Sequence, residues 1–65
     1  NPFHEGFYVN SNEVSQTYSI INISGSVLQT FSANKEQYID MSSFSNGIYF
    51  LKNNDDNSCT KLIKQ

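Results

Sequence analysis

The chain has few of the residues that usually form disulfides, metal sites and catalytic sites. In 65 residues it has no tryptophan and no arginine, and it has one cysteine, one histidine and one proline. The lone Cys59 cannot form a disulfide within the chain, so the fold must depend on its core. The lone His4, beside Glu5, offers no histidine pair for a zinc site and is interpreted as a solvated loop residue. No apolar run approaches the roughly 20 residues that a membrane helix requires.

Charge is also scarce. Charged residues make up 15% of the chain, and the net charge is −2. A nucleic-acid-binding protein needs clustered lysine and arginine to displace counterions, and four basic residues against six acidic ones argue against that role. The paired carboxylates of a glycosidase need cleft walls, which a short chain without long loops does not supply. We therefore expect no enzymatic activity, no cofactor, no metal site and no nucleic-acid partner.

Aromatic residues are what the chain has in abundance, with five phenylalanines and four tyrosines. A domain of this size buries only about 60% of its unfolded surface, so its core must be small and rich in large side chains. The apolar residues alternate or occur in short β-branched and aromatic runs, which clusters of Asn, Ser and Gly interrupt. This pattern predicts strands and no helix.

The spacing predicts an all-β fold, a small antiparallel β-sandwich of six to seven short strands. The predicted strands run over Gly6–Asn10, Gln16–Ile23, Val27–Phe31, Tyr38–Met41, Ile48–Asn53 and Cys59–Lys64. The second has apolar residues on both faces and is therefore expected to be central.

Polar segments between the strands predict turns. A turn is expected at Ser11–Glu13, and a longer polar loop at Ser32–Glu36. Gly25 and the pair Asn46-Gly47 are the expected structural turn residues, because glycine adopts positive φ at little steric cost. In the turn before Gly47, Phe44 is expected to reach the core.

The turn from Asn53 to Asn57 alternates oxygen donors as the first half of an EF-hand loop does. An EF-hand needs glycine at its sixth position and glutamate at its twelfth, where this chain has Ser58 and Lys64. We predict instead a hairpin turn whose Asx side chains cap their own backbone. Cys59 follows it and, lacking an activating neighbour, is interpreted as a small hydrophobic residue at a strand start.

The aromatic residues also allow an alternative function, a small carbohydrate-binding or accessory β-sandwich module of a secreted enzyme. Such a module would need exposed coplanar rings, whereas a chain this short needs most of its rings for the core. The rings that could take part are those of Phe3, Phe7, Tyr8, Tyr18, Tyr38, Tyr49 and Phe50.

Four distinct short motifs follow one another along the whole chain. They are Asn1-Pro2-Phe3, a strand-glycine-strand unit from Tyr18 to Val27, a block from Tyr38 to Lys52, and the closing Lys61-Leu62-Ile63-Lys64. The block contains Ile39-Asp40-Met41-Ser42 and Gly47-Ile48-Tyr49. Together these motifs resemble the type A C-terminal sorting domain of the type IX secretion system of Bacteroidetes.

The resemblance implies an Ig-like sandwich and a role as a secretion signal. Such a domain directs an upstream cargo protein across the outer membrane and is normally removed by a surface sortase-like peptidase. The implied partners are the outer-membrane translocon, a shuttle protein, the peptidase and the cargo in the same chain. The implied location is the periplasm in transit, then the cell surface or the medium. We expect residues 1–65 to be one domain from a longer secreted protein.

The resemblance also implies that the last two strands are recognised. The expected translocon-recognition residues are Gly47, Ile48, Tyr49, Lys61, Leu62, Ile63 and Lys64. The expected mode is recognition of a folded surface, with strand addition at the terminal edge. Lysines on an edge strand also discourage aggregation, so their role stays open between structure and recognition. Deletion of Thr60–Gln65 is expected to trap a fused cargo in the periplasm.

Overall fold

A computed structural model gives the structure of residues 2–10 and 15–65, with residues 2 and 3 described by their backbone alone. The predicted turn at Ser11–Glu13 lies outside these residues. The described residues contain seven strands and no helix. The strands are β1 (Pro2–Phe3), β2 (Gly6–Asn10), β3 (Gln16–Asn22), β4 (Val27–Ala33), β5 (Glu36–Asp40), β6 (Gly47–Asn53) and β7 (Cys59–Lys64).

The strands form two sheets. Five strands pair in the order β1-β7-β6-β3-β4, and β2 pairs with β5. All pairs are antiparallel except β1 with β7, which run parallel. The predicted all-β sandwich is confirmed, and β3 is central, as expected from the apolar residues on its two faces. The parallel pair was not predicted. The finer Ig-like assignment stays a prediction.

The core lies where the two sheets face each other. Side chains from six strands contribute to it, since strand residues alternate between the two faces of a sheet. Ile20 and Met41 are fully buried, and Phe44 packs against the cluster as predicted. The rings of Tyr18 and Phe31 stack at a centroid distance of 5.5 Å. The buried hydrophobic residues are Val9, Tyr18, Ile20, Ala33, Ile39, Met41, Tyr49 and Leu62.

An asparagine side chain organises each of the two hairpins in the large sheet. At the β3–β4 turn, Asn22 Oδ1 accepts hydrogen bonds from the N–H groups of Ser24 and Ser26, and Gly25 has a φ of 93°. At the β6–β7 turn, Asn53 Oδ1 accepts from the Asp55 N–H at 2.8 Å. These side-chain bonds satisfy backbone N–H groups that have no cross-strand partner within a tight turn.

The connection between β4 and β5 is shorter than predicted. The polar loop expected at Ser32–Glu36 is wrong, because β4 continues to Ala33 and β5 begins at Glu36. Ala33 is fully buried opposite Gln16, so core packing extends the strand through a polar stretch. Lys35 turns the chain with a φ of 66°.

Candidate recognition surface on the terminal strands

Strands β6 and β7 form one antiparallel pair that contains every expected recognition residue. Gly47 lies opposite Lys64, Tyr49 opposite Leu62, and Ile48 opposite Ile63. Because successive strand residues point to opposite faces, this register separates the set into two groups. One group faces the second sheet and the other faces away from it.

The inward group holds the fold together. Tyr49 and Leu62 belong to the buried core, and Leu62 exposes only 3% of its surface. The Tyr49 hydroxyl donates to the Ser45 carbonyl O at 2.6 Å, and its ring meets that of Phe44 edge to face. Lys64 is also buried, with its Nζ donating to Asn46 Oδ1 at 3.3 Å. These side chains offer little surface to a partner.

The outward group forms a half-exposed apolar strip with a cation beside it. Ile48 and Ile63 are partly buried cross-strand neighbours, and the next pair in the register is Phe50 with the exposed Lys61. We call Ile48, Phe50, Lys61 and Ile63 the outer strip. Phe50 was not among the expected recognition residues. Its alternation with Tyr49 in the sequence was the signal that could have identified it.

The turn into β6 has a structural role. Gly47 has a φ of 155°, a backbone conformation that residues with a Cβ rarely adopt, although a Cβ there would meet no atom within 4 Å. Asn46 holds Lys64, the residue opposite Gly47. Gly25 lies at the β3–β4 turn and does not join this site. The assignment of Gly25, Asn46 and Gly47 as turn residues is consistent with these positions.

The terminal strand is an edge strand over most of its length. Among the described residues, only β1 pairs with the outer side of β7, and it does so at Ile63 and Lys64 alone. Cys59, Thr60 and Lys61 are exposed. Cys59 is thus at a strand start, as predicted, but it is not a buried hydrophobic residue.

A family model described as "Secretion system C-terminal sorting domain" matches residues 1–65, the whole chain. The chain belongs to this family. It is a C-terminal sorting signal for type IX secretion, as the resemblance implied. Membership implies a cargo upstream in the same chain and passage across the outer membrane to the surface or the medium. Neither the curated proteins nor the solved structures gave a match to the chain.

The β6–β7 turn of the sorting domain is built by Asx side chains, as predicted. Asp56 Oδ1 accepts from the Ser58 N–H at 2.8 Å, and Asp55 Oδ2 accepts from the Thr17 N–H at 2.8 Å. Hydrogen bonds from Ser58 hold the pKa of Asp56 below its ordinary value. Among the described residues, no three His, Cys, Asp or Glu side chains are grouped to hold a metal ion.

The second sheet carries carboxylates and the two exposed tyrosines. Hydrogen bonds from Ser42 lower the pKa of Asp40. Partial loss of hydration beside its neighbours raises the pKa of the exposed Tyr38, and the nearby carboxylates of Asp40 and Glu5 add to the shift. Tyr8 and Tyr38 contact each other at 5.1 Å between ring centroids, with their planes at 63°.

That angle differs from the coplanar platform expected of a carbohydrate-binding module. Of the other rings considered for it, Tyr18 and Tyr49 are in the core, Phe7 packs against it and Phe50 is half-buried. The Phe3 side chain lies outside the described residues. Within residues 2–10 and 15–65, no helix has the length and hydropathy of a membrane span.

Proposed function

We propose that the type IX translocon recognises the sorting domain through the outer strip and the free edge of β7. The supporting observation is the alternation of β6 and β7. Tyr49, Leu62 and Lys64 serve the fold, whereas Ile48, Lys61 and Ile63 face away from the core. A partner that recognises the folded domain can contact only side chains that are not buried in the core. The side chains of the outer strip meet that condition.

The chemistry of the outer strip suits a moderate, reversible contact. It joins a small half-buried apolar area to one exposed ammonium group, and burial of apolar surface is the dominant favourable term in most protein–protein association. The free edge of β7 adds backbone N–H and C=O groups that a partner strand can pair with. A signal that passes from one partner to the next needs such a surface, since tight binding would slow release.

The proposed route has four steps. The cargo and its sorting domain reach the periplasm, the translocon carries them across the outer membrane, a shuttle protein receives them, and a surface sortase-like peptidase removes the domain. Residues 1–65 act as one unit in all of these steps. Any catalytic or binding activity of the complete protein belongs to the cargo, and the domain supplies the secretion signal.

The test is a charge reversal on the outer strip of the full-length secreted protein. Lys61→Glu changes an exposed side chain without touching the core, and we expect surface or medium delivery of the cargo to fall about tenfold or more, the loss that about 1.4 kcal/mol of binding energy would produce. The matched control is Lys35→Glu, the same charge change at an exposed turn position between β4 and β5. The control is expected to secrete normally.

Cargo location is measured by fractionation into periplasm, surface and medium, and domain removal by the mass of the delivered cargo. A urea unfolding curve of each variant separates a recognition defect from loss of folding. Equal delivery of the Lys61 and Lys35 variants, with both folded, would exclude the outer strip as the recognised surface.

A further inference from the structure

The short strand β1 is placed and oriented so that the chain before it can continue along β7. Pro2 lies opposite Ile63 and Phe3 opposite Lys64, in parallel. In a parallel pair, moving back along one strand moves back along the other. A chain that continued this direction upstream of the described residues would run past Lys61, Thr60 and Cys59.

The outer side of β7 has backbone groups available for that pairing. In an antiparallel pair, opposed residues alternate between exchanging two hydrogen bonds and exchanging none. The Asn53 N–H donates to the Ser58 carbonyl O at 2.8 Å, directly before the first register pair of β6 and β7. Counting on from this bonded pair, Thr60 and Leu62 bond to β6. Lys61 and Ile63 turn their N–H and C=O groups away from β6.

The two outward-turned residues have different neighbours. Ile63 faces β1, whereas no described strand lies beside Lys61. Lys61 and Thr60 are exposed as well, so nothing in the described part of the chain blocks a strand there. The edge is open where the upstream chain would run.

The contacts after β1 keep the segment in position without competing for the edge. The His4 ring Nδ1 lies 3.3 Å from the Gln65 carbonyl O, so the chain is tied to the end of β7 as it leaves β1. It then enters β2, in the other sheet. Proline suits this place, since it occurs in sheets at edge strands and strand starts.

We infer that the chain immediately upstream of Pro2 extends β1 as a parallel edge strand and covers β7 at Lys61 and Thr60. This inference rests on the proposed function for the coupling to translocation and domain removal, whereas the pairing itself requires only a cargo upstream in the same chain. Its occupant is the junction between cargo and domain. A pair of two residues is short for a strand, and an extension gives it a length closer to the usual five or six.

The arrangement couples two events that the route requires. While the junction lies on β7, it is an ordered strand, and its partner edge is closed to other strands. A translocon or shuttle strand that pairs with β7 must displace the junction, which then becomes an extended, accessible peptide. Pairing of a partner strand with β7 would thereby expose the junction between cargo and domain, where the peptidase would cut.

Amide hydrogen exchange at single-residue resolution tests this on the purified full-length protein. In one variant, the three residues that directly precede Asn1 are all replaced by proline, because a run of prolines adopts the polyproline II helix, whose three residues per turn cannot keep register with a β-strand. In the matched control they become Thr-Val-Thr, which favours a strand. Residues 1–65 are unchanged in both variants.

We expect the Lys61 amide to exchange about tenfold or more slowly in the natural and Thr-Val-Thr proteins than in the proline variant. The Thr60 and Leu62 amides, which bond to β6, should exchange alike in all three. Equal exchange at Lys61 in all three proteins would overturn the inference. So would Lys61 protection that rises with protein concentration, since a second copy would then fill the edge. Because no secretion machinery is present, this outcome is independent of the Lys61→Glu delivery test.

Discussion

At the residue scale, adjacent positions in one motif have different physical roles. In Gly47-Ile48-Tyr49, the first residue sets a backbone angle, the second faces outward and the third packs in the core. In the terminal motif, Leu62 is buried between the exposed Lys61 and the half-buried Ile63. A motif that is continuous in sequence is therefore divided between the two faces of the sheet, and mutations within it test different properties.

The first prediction concerns Gly47. Gly47→Ala should lower the free energy of unfolding by about 1–3 kcal/mol, because alanine at a φ of 155° stores backbone strain. No clash contributes, since the space around the added Cβ is open. Ser45→Ala is the control, an exposed change two residues earlier that should stay within about 0.5 kcal/mol of the unmodified domain. Urea unfolding measures both, and equal stabilities would show that Gly47 is not needed for the turn.

The second prediction concerns acid. The pKa values of Asp40 and Asp56 are lowered by hydrogen bonds from Ser42 and Ser58, so each carboxylate stabilises the fold in its charged form. A lowered folded-state pKa gives stability that is present above the unfolded-state pKa of about 3.9 and is lost as the pH falls toward the folded-state value.

The free energy of unfolding should therefore be level from about pH 7 to pH 5 and decline below about pH 4. Asp56→Asn should flatten that decline, whereas Glu36→Gln, which removes an exposed carboxylate from β5, serves as the control for charge alone. Urea midpoints across this range provide the measurement. An acid decline unchanged in Asp56→Asn would contradict the assigned role of the Ser58 hydrogen bonds.

At the element scale, β7 is both a core strand and an edge strand. One face supplies Leu62 to the core, and the outer side of the strand is paired only at Ile63 and Lys64. This combination makes the strand indispensable to the sheet and yet reachable by another chain. Among the described strands, β2, β4 and β5 also combine a core residue with an unpaired side, whereas β3 and β6 are paired on both sides.

The third prediction separates these roles. Leu62→Ala should cost about 2–5 kcal/mol through lost burial and a residual cavity. That is a large part of the total for 65 residues, at about 0.05–0.15 kcal/mol per residue. Lys61→Ala, one position earlier, should change stability by less than about 0.5 kcal/mol. Thermal and urea unfolding of both variants give the comparison, and similar losses would mean that the faces are assigned wrongly.

Strands with a dense local pattern were predicted well from the sequence. β2 and β7 have the predicted bounds, and the turns at Gly25 and Gly47 are where Asn, Ser and Gly cluster. Two residues with a proline have no periodicity, so nothing local could predict β1. Its pairing joins Pro2 to Ile63 across almost the whole chain, and such contacts depend on the finished fold.

The expected recognition residues were taken from motifs, and a motif does not show which face of a strand is free. That distinction needs the register of Tyr49 with Leu62, since only a buried cross-strand pair shows which side is the core. The strand pattern placed the set on the last two strands, and the register then added Phe50 to the outward side. The burial of Lys64 was the hardest feature to predict from the sequence, because it depends on Asn46 as the hydrogen-bond partner of the ammonium group.

At the whole-molecule scale, charge is unevenly distributed over the sandwich. Three of the four lysines, Lys52, Lys61 and Lys64, lie on β6 and β7, whereas Glu36 and Asp40 lie on β5 in the other sheet. The β6–β7 hairpin is not uniformly basic, because Asp55 and Asp56 lie in its turn and Lys64 is buried. The exposed Lys61 is therefore the cation that a partner would meet at the outer strip, and such an interaction weakens as ionic strength rises.

The last prediction concerns deletion of the terminal strand from the whole domain. Removing Thr60–Gln65 takes Leu62 from the core, leaves the β6 edge unpaired and removes the partner of β1. In a domain of this size no other core can compensate. We expect the truncated domain to lose its cooperative urea transition and to become sensitive to protease, as followed by circular dichroism and limited proteolysis. A cargo trapped by this deletion would then report misfolding rather than lost recognition, whereas Lys61→Glu is expected to keep the fold and so to test recognition alone. A sharp urea transition in the truncated chain would reverse that assignment and make the deletion itself a direct test of recognition.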